Sequence, residues 1–211
     1  YGEGDKPTAV PTAFPSAVPT PVPTALPSVG ARFVDLSVLS SIADVVQLSG
    51  AEAGDELGWS MSSAGDVNND GYDDFIVGAD ENDGNLQTIG YRSNAGAAYV
   101  VYGKTASPSS ILATDFSTSS AFGFKMCGGH SNDQAGSSVS FVGDLNGDNY
   151  TDIIVSSPHD DPQNRNRAGS VHVFFGGPTT FQVVDLGALT SGYSSAIVVE
   201  GADSYDRIGA S

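Results

Sequence analysis

Two stretches place oxygen-bearing side chains at every second residue. The first runs from Asp66 to Asp74, with Asp66, Asn68, Asp70 and Asp74 as donors and Gly71 at the sharp turn. A hard cation such as Ca²⁺ takes six to eight oxygens at roughly 2.3–2.6 Å. A short loop supplies them when alternate side chains converge, with the backbone carbonyl of Tyr72 adding one more. The second stretch lies 78 residues later, with Asp144, Asn146, Asp148 and Asp152 as side-chain donors and Tyr150 as carbonyl donor. Phe75-Ile76-Val77 follows the first loop and Ile153-Ile154-Val155 the second. An EF-hand would continue to a bidentate Glu and a helix. Here the twelfth place is Val77 and the next segment reads as a strand. The expectation is two Ca²⁺ sites between strands, each with three carboxylates. An Asx-rich hairpin turn without metal is the alternative.

Other chemistry is sparse. The histidines His130, His159 and His172 fall in a glycine-rich turn, a polar loop and a strand, and each reads as structural or surface. Gly58-Trp59-Ser60-Met61-Ser62 lacks the final glycine of a nucleophile elbow. No glycine-rich phosphate loop is present. All-oxygen sites are poor at activating water in the manner of zinc, so the chain reads as no enzyme. Cys127, between Met126 and Gly128, reads as a small buried strand residue. Asn149-Tyr150-Thr151 is an N-glycosylation sequon on the second loop, and makes Asn149 a candidate acceptor.

The loops need strands to hold them, and the strands come in repeats. Gly50 and Gly58, Gly128 and Gly136, and Gly201 and Gly209 are each eight residues apart, with a polar loop between. An alternating strand follows in the first two copies, 59–64 and 137–142. Then come the aspartate loop, a short apolar strand, and a polar excursion over 80–95 or 159–167. The stretches 95–103 and 168–177 read as third strands, and the regions around 122–127 and 196–199 as fourth strands. Phe33–Leu36 and residues 45–48 read as two further strands, echoed by Val183–Leu186 and 197–199. The period is 73–78 residues and no amphipathic helix is visible. Four-strand units repeating in this way indicate propeller blades. Ser60, Ser62, Ser63, Ser137 and Ser138 are the small residues expected on inner strands.

With these features in place, the sequence resembles FG-GAP repeats of the integrin α-subunit type. The name-giving dipeptide is Leu57-Gly58, Ala135-Gly136 and Ile208-Gly209 here, so the aromatic is absent in all three copies. The second element is Gly78-Ala79-Asp80 and Ser156-Ser157-Pro158. The resemblance implies an all-β fold of β-propeller blades, each of four antiparallel strands, with seven blades in the parent. It implies a closing strand within 44–48. The expected organisation is a stalk over 1–30 and a partial propeller over 31–211. Within the latter, 31–56 hold the closing-strand region, 57–135 the first blade, 136–207 the second, and 208–211 the start of a third. The chain starts at Tyr1 without an initiator Met, so a processed or partial chain is expected.

Residues 7–28 place proline every fourth residue, with an extra Pro21. Proline fixes φ and restricts its predecessor, which predicts an extended polyproline II stalk. It reads as a spacer, as an O-glycosylated stalk with Thr8, Thr12, Ser16, Thr20, Thr24 and Ser28 as acceptors, or as a docking segment.

The chain has 211 residues, with 25 acidic and 8 basic groups and net charge -17, which argues against nucleic acid and anionic membrane surfaces as partners. No apolar run is long enough to insert in a bilayer. The reading is a calcium-stabilised adhesion or assembly module, extracellular or at the cell surface, binding a protein partner or itself. A carbohydrate-binding propeller is an alternative, with Trp59 and Tyr91 as aromatic candidates, although Trp59 is expected to be buried in the blade. The non-catalytic domain of a secreted hydrolase is another.

Overall fold

The computed structural model describes residues 46–84, 90–104, 110–117, 119–178, 183–189 and 196–211. The chain divides into two units, Tyr1–Ser37 and Val38–Ser211, and every described residue lies in the second. The proline-spaced segment, its Thr8, Thr12, Ser16, Thr20, Thr24 and Ser28, and the strand expected at 33–36 lie outside the described residues.

Eleven strands are described. They are β1 (Gln47–Ser49), β2 (Met61–Gly65), β3 (Asp74–Ala79), β4 (Ala97–Val101), β5 (Ser110–Leu112), β6 (Gly123–Cys127), β7 (Val139–Gly143), β8 (Asp152–Ser157), β9 (Ser170–Phe174), β10 (Val183–Asp185) and β11 (Ala196–Glu200). Three short 3-10 turns and no α-helix accompany them among the described residues. Two antiparallel meanders form the body: β2-β3-β4-β6 and β7-β8-β9-β11. This all-β arrangement of repeated four-strand meanders is consistent with a propeller-like fold.

The two meanders match residue for residue. Met61 pairs with Val77 and Val139 with Val155; Ala79 pairs with Ala97 and Ser157 with Ser170. Each inner hairpin carries an irregularity just before its aspartate loop, between Ser63 and Gly65 and between Phe141 and Gly143. The loop is then closed by pairing of Gly65 with Asp74 and Gly143 with Asp152.

Burial explains the sequence patterns. All five residues of β4 are buried, whereas β9 alternates between buried and half-buried. The first meander is covered on both faces, so its strands do not need to alternate. One face packs Ile76, Val100, Phe124 and Met126 against Val139, Ile153, Val155 and Phe174 of the second meander. The other gathers Tyr99 and Val101 with Ile111, Phe116 and Leu48. Small residues permit close approach of the inner strands. Ser60 Oγ donates to the Gly136 carbonyl at 2.7 Å, and a Cβ at Gly78 would collide with that same carbonyl oxygen.

A fifth strand joins the first meander. β10 runs parallel to β6, pairing Val184 with Met126, and β5 runs parallel to β1 in the same fashion. The sequence pattern does not single out β5, and it groups Val183–Leu186 with the following repeat. The structure instead lays this segment on the outer edge of the preceding sheet.

Arg92 pins the addition. Its Nη1 and Nη2 donate to the two oxygens of Asp185 at 2.7 and 2.8 Å, and Nη1 also donates to the Gly128 carbonyl at 2.8 Å. The pair is partly buried, and two-pronged geometry is what makes such a pair count. Arg92→Ala is expected to cost about 1–2 kcal/mol after allowance for solvent screening. Urea unfolding checks it, with equal midpoints for variant and parent as the contrary result.

Candidate functional site

Each aspartate loop is wound around its first carboxylate. Asp66 accepts from the amides of Asp70 (3.1 Å) and Gly71 (2.8 Å). Asn68 Oδ1 accepts from Asp70 N at 3.0 Å, and Asp70 Oδ1 from Tyr72 N at 3.0 Å. The second loop repeats the set. Asp144 accepts from Gly147 (2.7 Å), Asp148 (3.1 Å) and Asn149 (2.8 Å), Asn146 from Asp148 N (3.1 Å), and Asp148 from Tyr150 N (3.0 Å). The amide of Asn149 first of all, with those of its loop neighbours, holds the Asp144 carboxyl below the usual range, and burial opposes them. The turn demands a left-handed residue. Gly71 meets it at φ 90° and Asn149 at φ 70°, the substitution that short polar side chains tolerate.

Asp74 and Asp152 behave differently from their loop mates. They are 1 % and 0 % exposed. Asp74 accepts from Val67 N at 2.9 Å and Gly103 N at 2.8 Å; Asp152 accepts from Leu145 N at 2.7 Å and Gly176 N at 2.9 Å. Each therefore ties the loop to the residues just past the third strand. Burial pushes Asp74 up to about 6, opposed by those two amide bonds and reinforced by the charges of Asp66 and Asp70.

The donor set suits a hard cation by chemistry. Every donor is oxygen, Asp70 and Asp148 are exposed, and no ion pair reaches either loop among the described residues. The three carboxylates of a loop are arrayed, not clustered. Among the described residues, the set of three or more acidic, His or Cys ligand atoms within 4.8 Å of one another is His130, Asp133 and Asp160.

That cluster is not apparent from the sequence. Asp133 accepts from His130 N at 2.6 Å, just as Asp55 accepts from Glu52 N (3.0 Å) and Asp206 from Asp203 N (2.8 Å). The aspartate of each polar loop is thus a turn-former common to the three copies. Its proximity to Asp160 comes from tertiary structure. Burial, then the charge of Asp160, pushes Asp133 up to about 7.

The remaining candidates fall as follows. Cys127 is fully buried, and burial raises its thiol. His172 is buried on β9, where burial lowers its pKa. Tyr91 is 64 % exposed and donates to Asp83 at 2.7 Å. Trp59 corrects the expectation of burial, since it is 61 % exposed. The chain turns at Gly58 (φ 100°) and Trp59 N bonds the Glu56 carbonyl, so the indole leaves the blade before β2 begins.

The FG-GAP repeat family matches residues 57–101 and 135–174, the inner three strands and aspartate loop of each meander. The chain carries FG-GAP repeats. These repeats place it beside integrin alpha-PS2 of Drosophila melanogaster, to which it is 28 % identical over 138 residues, 65 % of this chain and 9 % of that protein. It is also similar to phosphatidylinositol-glycan-specific phospholipase D of Bos taurus, 33 % identical over 126 residues, 57 % of this chain and 13 % of that protein. The chain thus spans about a tenth of the length of these relatives. No helix among the described residues is long and apolar enough to cross a membrane.

Proposed function

We propose that this chain is part of a calcium-stabilised, seven-bladed FG-GAP propeller that binds other proteins outside the cell or at its surface. The observation that carries it is the duplicated aspartate loop: two hydrogen-bond networks of the same design, each with three carboxylate donors and, among the described residues, no cationic partner. Asp66, Asn68, Asp70, the Tyr72 carbonyl and Asp74 would hold one Ca²⁺, and Asp144, Asn146, Asp148, the Tyr150 carbonyl and Asp152 the other. The ion supplies the positive charge that each loop lacks. The chain's residues do the rest. Asp66 and Asp144 wind the loop, Asp74 and Asp152 anchor its base, and the inner hairpin is fixed against the third strand. The role is structural.

Binding would then fall to the polar excursions over 80–95 and 159–167, which differ most between repeats on a shared scaffold. The stalk is a second candidate surface. The likeness to a phospholipase D supports another reading, the non-catalytic propeller of a secreted hydrolase.

Calorimetry of the full-length protein tests the calcium role. Ca²⁺ is expected to raise the melting temperature, and Asp70→Ala with Asp148→Ala to abolish the increment. A melting curve indifferent to chelator would overturn it.

A further inference from the structure

The two repeats treat one buried position in opposite ways. In the first meander Lys125 is 6 % exposed and opposite Tyr99. Its ammonium donates to Asn82 Oδ1 at 2.8 Å and lies 5.2 Å from the centre of the Tyr99 ring. Asp55 lies close enough for its charge to act on Tyr99. A built-in cation therefore sits in this part of the first blade.

The matching register in the second meander pairs His172 with Val198. Val198 thus replaces Lys125, and His172 replaces Tyr99. Ser157 stands for Ala79 at the end of the second strand, and Asp160, three residues on, stands for Asn82. The lysine is gone, a neutral amide has become a carboxylate, and the large ring has become a smaller one. A cavity of ≈ 20 Å³ is left, lined by His130, Asp133, Ser157, Asp160 and His172 among others. That is room for one water-sized particle.

Among the described residues, two polar atoms of the residues lining this cavity lack partners. His172 Nδ1 and Ser157 Oγ are buried without a hydrogen bond, in residues 5 % and 1 % exposed. Buried polar groups are ordinarily satisfied, so such atoms mark a missing partner. Beside them His130 Nδ1 lies 3.6 Å from Asp133 Oδ2 and 3.8 Å from Asp160 Oδ1. Ligand atoms around a tetrahedral zinc ion, with bonds of roughly 2.0–2.1 Å, are about 3.4 Å apart. The two spacings from His130 need only a small contraction, and the three ligand atoms all lie within 4.8 Å of one another.

We propose that His130, Asp133 and Asp160 bind a divalent transition-metal ion of the Zn²⁺ class, which takes the place of the Lys125 ammonium in the second repeat. The imidazole ligand favours such an ion over Ca²⁺, whose sites are built of oxygen. Three protein ligands leave a fourth position for water. A water there finds its hydrogen-bond partners in His172 Nδ1 and Ser157 Oγ. The site is separate from both aspartate loops and ties the turn after β6 to the excursion after β8.

The test uses tag-free full-length protein, stripped of metal and then saturated with Ca²⁺, and titrated with Zn²⁺ by calorimetry. Co²⁺ absorption reports coordination. The expected result is a Zn²⁺ site that raises the melting temperature and gives a tetrahedral Co²⁺ spectrum. His130→Ala removes a side chain that is 75 % exposed, so folding should survive, and affinity is expected to fall at least about tenfold. A second variant, His172→Tyr with Val198→Lys, rebuilds the arrangement of the first repeat. It is expected to keep its Ca²⁺ response and lose the Zn²⁺ response. Absence of Zn²⁺ binding, or undiminished binding in His130→Ala or in the rebuilt variant, would overturn the proposal and leave the cavity to water.

Discussion

Replacing Asp152 with alanine is expected to lower the unfolding free energy by about 2–6 kcal/mol, and to do so in the presence of chelator. The carboxylate is fully buried and accepts from Leu145 N and Gly176 N. Alanine leaves both amides without their acceptor. An orphaned buried donor costs about 1–3 kcal/mol, and here there are two. Asp148 provides the contrast. It is exposed, and its bonds lie within the loop. Asp148→Ala is therefore expected to cost little in chelator and to matter mainly with Ca²⁺. Urea unfolding of both variants, with and without Ca²⁺, separates the hydrogen-bonded scaffold from the ion. Should Asp152→Ala match the parent in chelator, its anchoring role is wrong.

Phe124→Ala is expected to cost about 3–5 kcal/mol, or roughly 6–20 °C in melting temperature. The ring is 1 % exposed, and its centre lies 6.2 Å from that of Tyr102 and 5.9 Å from that of Phe174. Phe174 belongs to the second meander, so this contact joins the two sheets. Truncation removes apolar burial and opens a cavity that neighbouring strands, held by their ladders, cannot collapse into. Because the two rings touch, Phe124→Ala with Phe174→Ala should cost less than the two single losses together. Differential scanning calorimetry checks both statements. Strict additivity would show that the rings do not share one packing unit.

Much of the fold is legible from local signals. The aspartate loops announce themselves by alternating oxygens around a turn, and Gly71 and Asn149 adopt the left-handed conformation that the turn requires. The apolar runs after the loops are strands because their residues suit a pleated, buried surface. The second and third glycine pairs mark close approaches, since a Cβ at Gly128, Gly136, Gly201 or Gly209 would meet a neighbouring segment, whereas Gly58 of the first pair faces open space. The fourth strands, around 122–127 and 196–199, lie at Gly123–Cys127 and Ala196–Glu200.

Other features have no local signature. β5 and β10 are three residues each and pair in parallel with strands far away in sequence. Nothing in Ser110–Leu112 distinguishes it from a loop until an unpaired edge is offered to it. Trp59 is apolar, yet the turn at Gly58 sends it to solvent.

The repeat, the all-β character and the oxygen-rich loops are legible in the chain of residues, since each depends on spacing between near neighbours. Tertiary structure alone decided two things about the carboxylates. It turned Asp74 and Asp152 inward onto amides past the third strand, and it brought Asp133 and Asp160 to His130. These outcomes depend on which sheet stacks on which, and so on the balance of burial and pairing across the whole unit. A carboxylate has the same letter whether it faces water, an amide or another carboxylate, and only the packed chain sets its neighbours.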